Sequence, residues 1–157
     1  MKKKTISTVL SFVLVAGLLA VPFFWHPKAE TPIHVDNQLT FGKTITIGEK
    51  TIRVAVASNV IDRSQGLSGT DSLPEDEGML FIFNEEAMQY FWMKDMNYPL
   101  DIIWIGSDKT VKSISQDLDP TSYPETFSST VPVQYVLEVP AGFVRVHKVK
   151  EGAVVAF

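Results

Sequence analysis

Apolar and polar positions alternate with a period of two over much of this chain. Ile45 and Ile47 are spaced by threonines, and Ile52, Val54 and Val56 by Arg53 and Ala55. This alternation predicts a hairpin of strands 44–47 and 51–57 around Gly48-Glu49-Lys50. Asn59 is placed to cap a short helix running through Gln65, with Asp62 in its first turn and Gly66 as its stop. Leu73 to Gly78 reads as an acidic turn. Met79 to Phe83 is apolar throughout, which suits a strand buried on both faces. Further strands are expected at 90–94, 101–105, 110–115, 133–139 and 153–157. Turns through Asn97-Tyr98-Pro99 and Gly106 to Lys109 separate three of them, and one helical turn is expected after Pro140-Ala141-Gly142. Residues 116–131, rich in Pro, Ser, Thr and Asp, read as a long loop. The expected fold is mostly β: a small β-sandwich or barrel of seven to eight short strands with one or two short helices. No succession of strand–helix–strand units suggests a Rossmann-type sheet.

The N-terminal pattern differs. Lys2-Lys3-Lys4 precedes an uncharged stretch from Thr5 to Trp25, 21 residues long. At 1.5 Å per residue a helix of that length spans roughly 30 Å, the thickness of a bilayer core. Phe23, Phe24 and Trp25 stand where aromatic rings favour the membrane interface, and the lysines hold the N-terminus in the cytoplasm. Residues 1–29 thus read as a transmembrane signal anchor or a cleaved signal peptide. Leu18-Leu19-Ala20 and Pro27-Lys28-Ala29 make poor cleavage sites and the apolar run is long, so the anchor is favoured. Either reading places the domain outside the cytoplasm, in the periplasm or at the cell surface, secreted if the leader is cleaved. Residues 30–43, with Pro32 and scattered polar positions, read as a linker, and 44–157 as the β domain.

Charge sharpens the picture. The chain carries −4 overall, but residues 30–157 hold ten basic and eighteen acidic residues, a net −8. An acidic domain repels phosphate backbones, so nucleic acid is excluded as a partner, and docking on anionic lipid is disfavoured. The absence of cysteine excludes disulfides, thiol nucleophiles and Cys-ligated metals. His26, His34 and His147 show no paired-ligand spacing, and no P-loop, dinucleotide fingerprint or nucleophile elbow occurs. Met79, Met88, Met93 and Met96 could offer soft ligands to copper, but their spacing is irregular and methionine is common core filler. Acidic stretches at 71–77 and 117–119 lack EF-hand spacing. No metal or cofactor is expected.

Several blocks fall in one order: Arg63-Ser64-Gln65-Gly66-Leu67, Leu73-Pro74-Glu75-Asp76-Glu77-Gly78-Met79-Leu80-Phe81, Phe91-Trp92-Met93-Lys94, Pro99-Leu100-Asp101-Ile102 and Val136-Leu137-Glu138-Val139. From about Thr51 to Phe157 the chain resembles domain-of-unknown-function family 192, a small prokaryotic group. Met96 departs from the threonine expected there in many members. The resemblance implies a compact, mostly β domain, often exported or membrane-tethered. It implies no activity, cofactor or catalytic residue, and fold alone does not supply one.

Four residues are the candidate ligand-binding set: Trp92, Lys94, Asp101 and Glu138. On a strand, Tyr90, Trp92 and Lys94 share one face and Phe91 and Met93 the other, which sets aromatic rings beside a cation. Asp101 and Glu138 are charges set in apolar strands, and such charges rarely stay buried without partners. An ion pair of Lys94 with Asp101 or Glu138 is the plainer expectation. The functional expectation is a non-enzymatic envelope domain that presents a shallow pocket to a small, saccharide-like or protein ligand. The alternative is a small hydrolase or isomerase, possibly on saccharides, with Asp101 or Glu138 as base and Lys94 as electrostatic stabiliser. That alternative requires both carboxyl groups to reach one cavity within roughly 5–10 Å of each other.

Overall fold

The computed structural model describes residues 39–157; the leader and most of the linker lie outside them. Nine strands and two short helices follow in order: β1 (Lys43–Ile47), β2 (Lys50–Ala57), α1 (Val60–Gln65), β3 (Glu77–Ala87), β4 (Tyr90–Trp92), β5 (Leu100–Ile105), β6 (Val111–Leu118), β7 (Thr126–Ser128), β8 (Val133–Pro140), α2 (Phe143–Val146) and β9 (Val155–Ala156). Seven of the strands form one sheet in the order β6-β5-β8-β3-β2-β1-β9, and β4 and β7 form a separate ribbon.

The sheet curls into a half-barrel, which refines the expected sandwich or barrel. The chain end draws its two edges together. β9 pairs with β1 through Ile47 and Val155, while Val154 bridges to Thr110 at the start of β6. Lys109 O accepts from Val155 N at 2.9 Å, and Val111 N donates to Ala153 O at 2.9 Å. Most neighbours are antiparallel, but β2 and β3 run parallel, with α1 in the crossover between them. Parallel neighbours need such a crossover, so the short helix over 60–65 is dictated by the sheet as well as by its Asn59 cap. The Asn59 carboxamide accepts from Asp62 N at 2.9 Å. Gly66 closes the helix at φ +53°, a region that L side chains avoid.

Both faces of the sheet are buried, which explains the unbroken apolar runs. Inside the curl lie Ile45, Val54, Leu80, Ile103, Leu137 and Val139, closed off by Phe143 and Val144 of α2. On the outer face lie Met79, Phe81, Ile102, Trp104 and Val136, covered by Leu67, Leu73 and Met93. Every residue of β5 is buried. Leu39 and Phe41, within the stretch expected as linker, pack on the outer cluster.

Close packing has a sharp consequence at Gly78, where β3 passes β8. A Cβ there would stand 2.8 Å from the Glu138 carbonyl oxygen and 3.3 Å from Ile52 Cδ1. Gly78→Ala must push the β8 backbone aside. The expected result is a loss of about 1–3 kcal/mol of stability, read as a lowered urea midpoint at unchanged slope.

Candidate functional site

Strand register decides where each charged residue goes. Glu138 of β8 stands opposite Met79 on β3 and Ile102 on β5. Directly paired residues share a face, so Glu138 lies on the outer face with Met79. Asp101 stands opposite Val139 and therefore on the inner face. The two carboxyl groups of the sequence-based site are separated by the sheet itself. The single cavity that an acid–base pair requires does not form around them.

Asp101 is fully buried and its oxygens are used by the backbone. Oδ1 accepts from Asp117 N at 2.8 Å, and Oδ2 from Val144 N at 2.9 Å. Its place is structural: it ties β5 to β6 and to the start of α2. Lys94 is also not where the sequence reading set it. It follows β4 rather than continuing it, with its side chain exposed, and it enters no salt bridge among the described residues. The expected pairing with Asp101 or Glu138 does not form. Its backbone carbonyl accepts from Ser68 Oγ at 2.8 Å, while Asp95 takes φ 55° and its carbonyl accepts from Gly69 N.

Glu138 and Trp92 do converge. A cleft of about 290 Å³ opens on the outer face between α1 and β4, with Glu138 and Trp92 among its lining residues. Phe81, Phe83 and Phe91 form apolar walls; Tyr90 and Trp92, at 65% and 52% exposure, stand at the rim. The alternation expected for this strand holds, since Met93 is buried and Phe91 packs edge-on against Phe81 and Trp104 at centroid distances of 4.8 and 5.6 Å. β7, hidden within the expected loop 116–131, pairs with β4 and aligns Phe127 with Phe91. Tyr123, from the turn before β7, stacks edge-on against Trp92 at 6.2 Å.

Electrostatically the cleft is unusual in one respect. Glu138 is almost wholly buried, and its Oε2 has no hydrogen-bond partner. Burial alone pushes its carboxyl up to about 8 from an ordinary 4.5, because a charge there would lose its hydration. The nearby Tyr98 phenol is held above its usual value, first by burial, against a hydrogen bond to Thr70, and further by Glu138. Arg63, the cation lining the cleft, is committed elsewhere. Its Nη1 donates to the carbonyls of Ser58 at 2.6 Å and Ile82 at 3.0 Å, and its guanidinium lies 5.1 Å over the Phe83 ring. It pins α1 to β3 and so sets the width of the cleft.

The model of domain-of-unknown-function family 192, described as an uncharacterized ACR, matches residues 43–157. The chain belongs to this family. Two solved structures are similar to it. One is a protein of unknown function from Novosphingobium aromaticivorans DSM 12444, 28% identical over 73% of this chain and 84% of that one, with a TM-score of 0.70. The other is described as a candidate transcription regulator from Sinorhizobium meliloti 1021, 31% identical over 76% of this chain and 96% of that one, also with a TM-score of 0.70. No curated protein matches. The family 192 blocks seen in the sequence now have places: Arg63 to Leu67 and Phe91-Trp92 line the cleft, and Glu138 from the last block closes it. Tyr90, Phe83 and Arg63 were absent from the sequence-based site. The Arg63 block was visible as a motif, but only the parallel crossover brings it opposite β4.

Proposed function

We propose that this family 192 domain is a ligand-binding module, held outside the cytoplasm by its N-terminal apolar segment, with the cleft over Glu138 as its binding site. One observation carries the reading. A buried carboxyl oxygen without a partner lies at a cleft rimmed by exposed aromatic rings. An unsatisfied buried polar group costs roughly 1–3 kcal/mol, and exposed large aromatics mark recognition surfaces. A ligand that reaches Glu138 while covering Trp92 and Tyr90 removes both costs. The separation of Asp101 from Glu138 by the sheet favours binding over the hydrolase alternative. The location rests on Lys2 to Lys4 and the uncharged stretch 5–25. Among the described residues no helix is long and apolar enough to cross a membrane.

A thermal-shift screen of the full-length chain in a nonionic detergent tests the reading, since a ligand that binds only the folded state raises Tm by mass action. Hits are expected to lose at least tenfold in affinity in Trp92→Ala and Glu138→Gln while both variants keep native circular dichroism. Hits untouched by either substitution place binding elsewhere and sink the proposal. A C-terminal reporter active only in the cytosol overturns the location.

A further inference from the structure

We propose that the cleft receives a primary ammonium group, which donates a hydrogen bond to Glu138 and lies among the aromatic side chains of the rim. The inference rests on the cleft being a binding site and names the chemistry it selects. Glu138 is the starting point, because a buried carboxyl with a free oxygen can be satisfied by a donor or by a cation that supplies donors. The protein provides neither. Arg63 is held by two backbone carbonyls, and Arg53 pairs with Glu77 at 2.6 Å. An anion is disfavoured instead by the acidic balance of the domain as a whole. A metal ion needs several ligands, and the described residues contain no group of three or more His, Asp or Glu that could hold one. Tyr90, Trp92 and Phe83 line the cleft, and aromatic rings stabilise a desolvated cation. The described residues carry ten basic and sixteen acidic side chains, a net −6, which draws cations toward the domain.

Binding then moves a proton. The ammonium enters with its charge, the neutral Glu138 carboxyl releases one proton to solvent, and the carboxylate formed accepts an N–H from the ligand. No covalent bond to the ligand forms or breaks. The titratable or charged groups on this side of the sheet include Tyr98, Arg63 on α1, Tyr90 on β4 with the exposed Lys94 and Asp95 after it, Tyr123 against Trp92, and Glu77 on β3 with its partner Arg53. On β5 the residues of this face, Leu100, Ile102 and Trp104, are uncharged. Glu138 is therefore the group whose ionisation below pH 9 the ligand controls.

Isothermal titration of the full-length chain in nonionic detergent with n-butylammonium and with 1-butanol, its neutral counterpart, is the test. Butylammonium is expected to bind at pH 9 at least tenfold more tightly than butanol. Its Kd should weaken about tenfold for each pH unit from 8 to 6, with about one proton released per ligand there, seen by repeating the titration in buffers of different ionisation enthalpy. Glu138→Gln should abolish both the preference and the proton release. A lysine-containing tripeptide with blocked ends separates the sources: tighter binding than butylammonium assigns a peptide lysine, equal or weaker binding a free amine. Equal binding of butanol, no proton release, or no binding of butylammonium at any pH overturns the proposal. The cleft reading survives that failure if a neutral hit still depends on Trp92, and falls with it if no hit depends on Trp92 or Glu138.

Discussion

Between pH 5 and pH 9 the unliganded protein is expected to lose stability, and Glu138→Gln is expected to remove most of the loss. The carboxyl of Glu138 is raised from 4.5 to about 8 in the folded state by burial. A raised carboxyl binds more protons folded than unfolded between those values, so unfolding free energy falls as pH rises. The contribution is intact below pH 4.5, declines through the interval, and is lost above about 8. At roughly 1.4 kcal/mol for each pH unit, the gap sets a ceiling of about 5 kcal/mol. Glutamine keeps the shape and carries no charge at any pH. The variant should match the native chain near pH 5 and exceed it by a few kcal/mol at pH 9. Urea midpoints at pH 5, 7 and 9 measure this, and the upper limit keeps the Tyr98 phenol neutral. Groups elsewhere titrate equally in both proteins and cancel in the difference. Parallel stability curves for the two proteins would mean that water or a partner already satisfies Glu138. A saturating ammonium ligand should flatten the native curve, because it supplies the charge that burial withholds.

Alternating residues such as those in β1 and β2 made most of the strands legible, because one side of each pleat must be apolar. Asn59 and Gly66 likewise announced α1 through cap and stop chemistry. The apolar run at Met79 to Phe83 pointed to a strand buried on both faces, and the two clusters either side of the sheet explain it. What stayed hidden was non-local. β3 runs on to Ala87 through polar residues because β8 pairs with it as far as Val133. β7 is three residues long and exists only because β4 needs an edge partner. The site shows the same division. Glu138 and Trp92 stood out as a charge in an apolar strand and an aromatic in a dense segment, and both line the cleft. Asp101 carried the same local signal as Glu138, and no local pattern could separate them. The faces of neighbouring strands are set by register, and a single-residue offset between Asp101 and the partner of Glu138 sends the two side chains to opposite sides.

That offset makes Asp101→Ala the most damaging single substitution expected on the inner face. β5 and β6 slip register between Leu100↔Leu118 and Ile102↔Ser115, so the strand opposite Asp101 carries an extra residue. Such a bulge leaves an amide outside the ladder, and here it is Asp117 N, with φ 51°, that turns to the Asp101 carboxyl at 2.8 Å. The other oxygen accepts Val144 N from the first turn of α2, where Gly142 offers no side-chain cap. Alanine leaves both amides without an acceptor. At roughly 1–3 kcal/mol for each orphaned group, the loss should reach about 2–6 kcal/mol. Asp101→Asn retains one acceptor and turns an amide group toward the other N–H, so it should cost about half as much. Urea unfolding gives the magnitudes, and faster hydrogen exchange at the Val144 and Asp117 amides gives the cause. Because the carboxyl faces the interior of the curl, whatever Asp101→Asn protein remains folded should bind cleft ligands as tightly as the native chain. A normally stable Asp101→Asn protein with a silenced cleft would mean that both carboxyls serve one site, and the division of roles between the two faces of the sheet would fall.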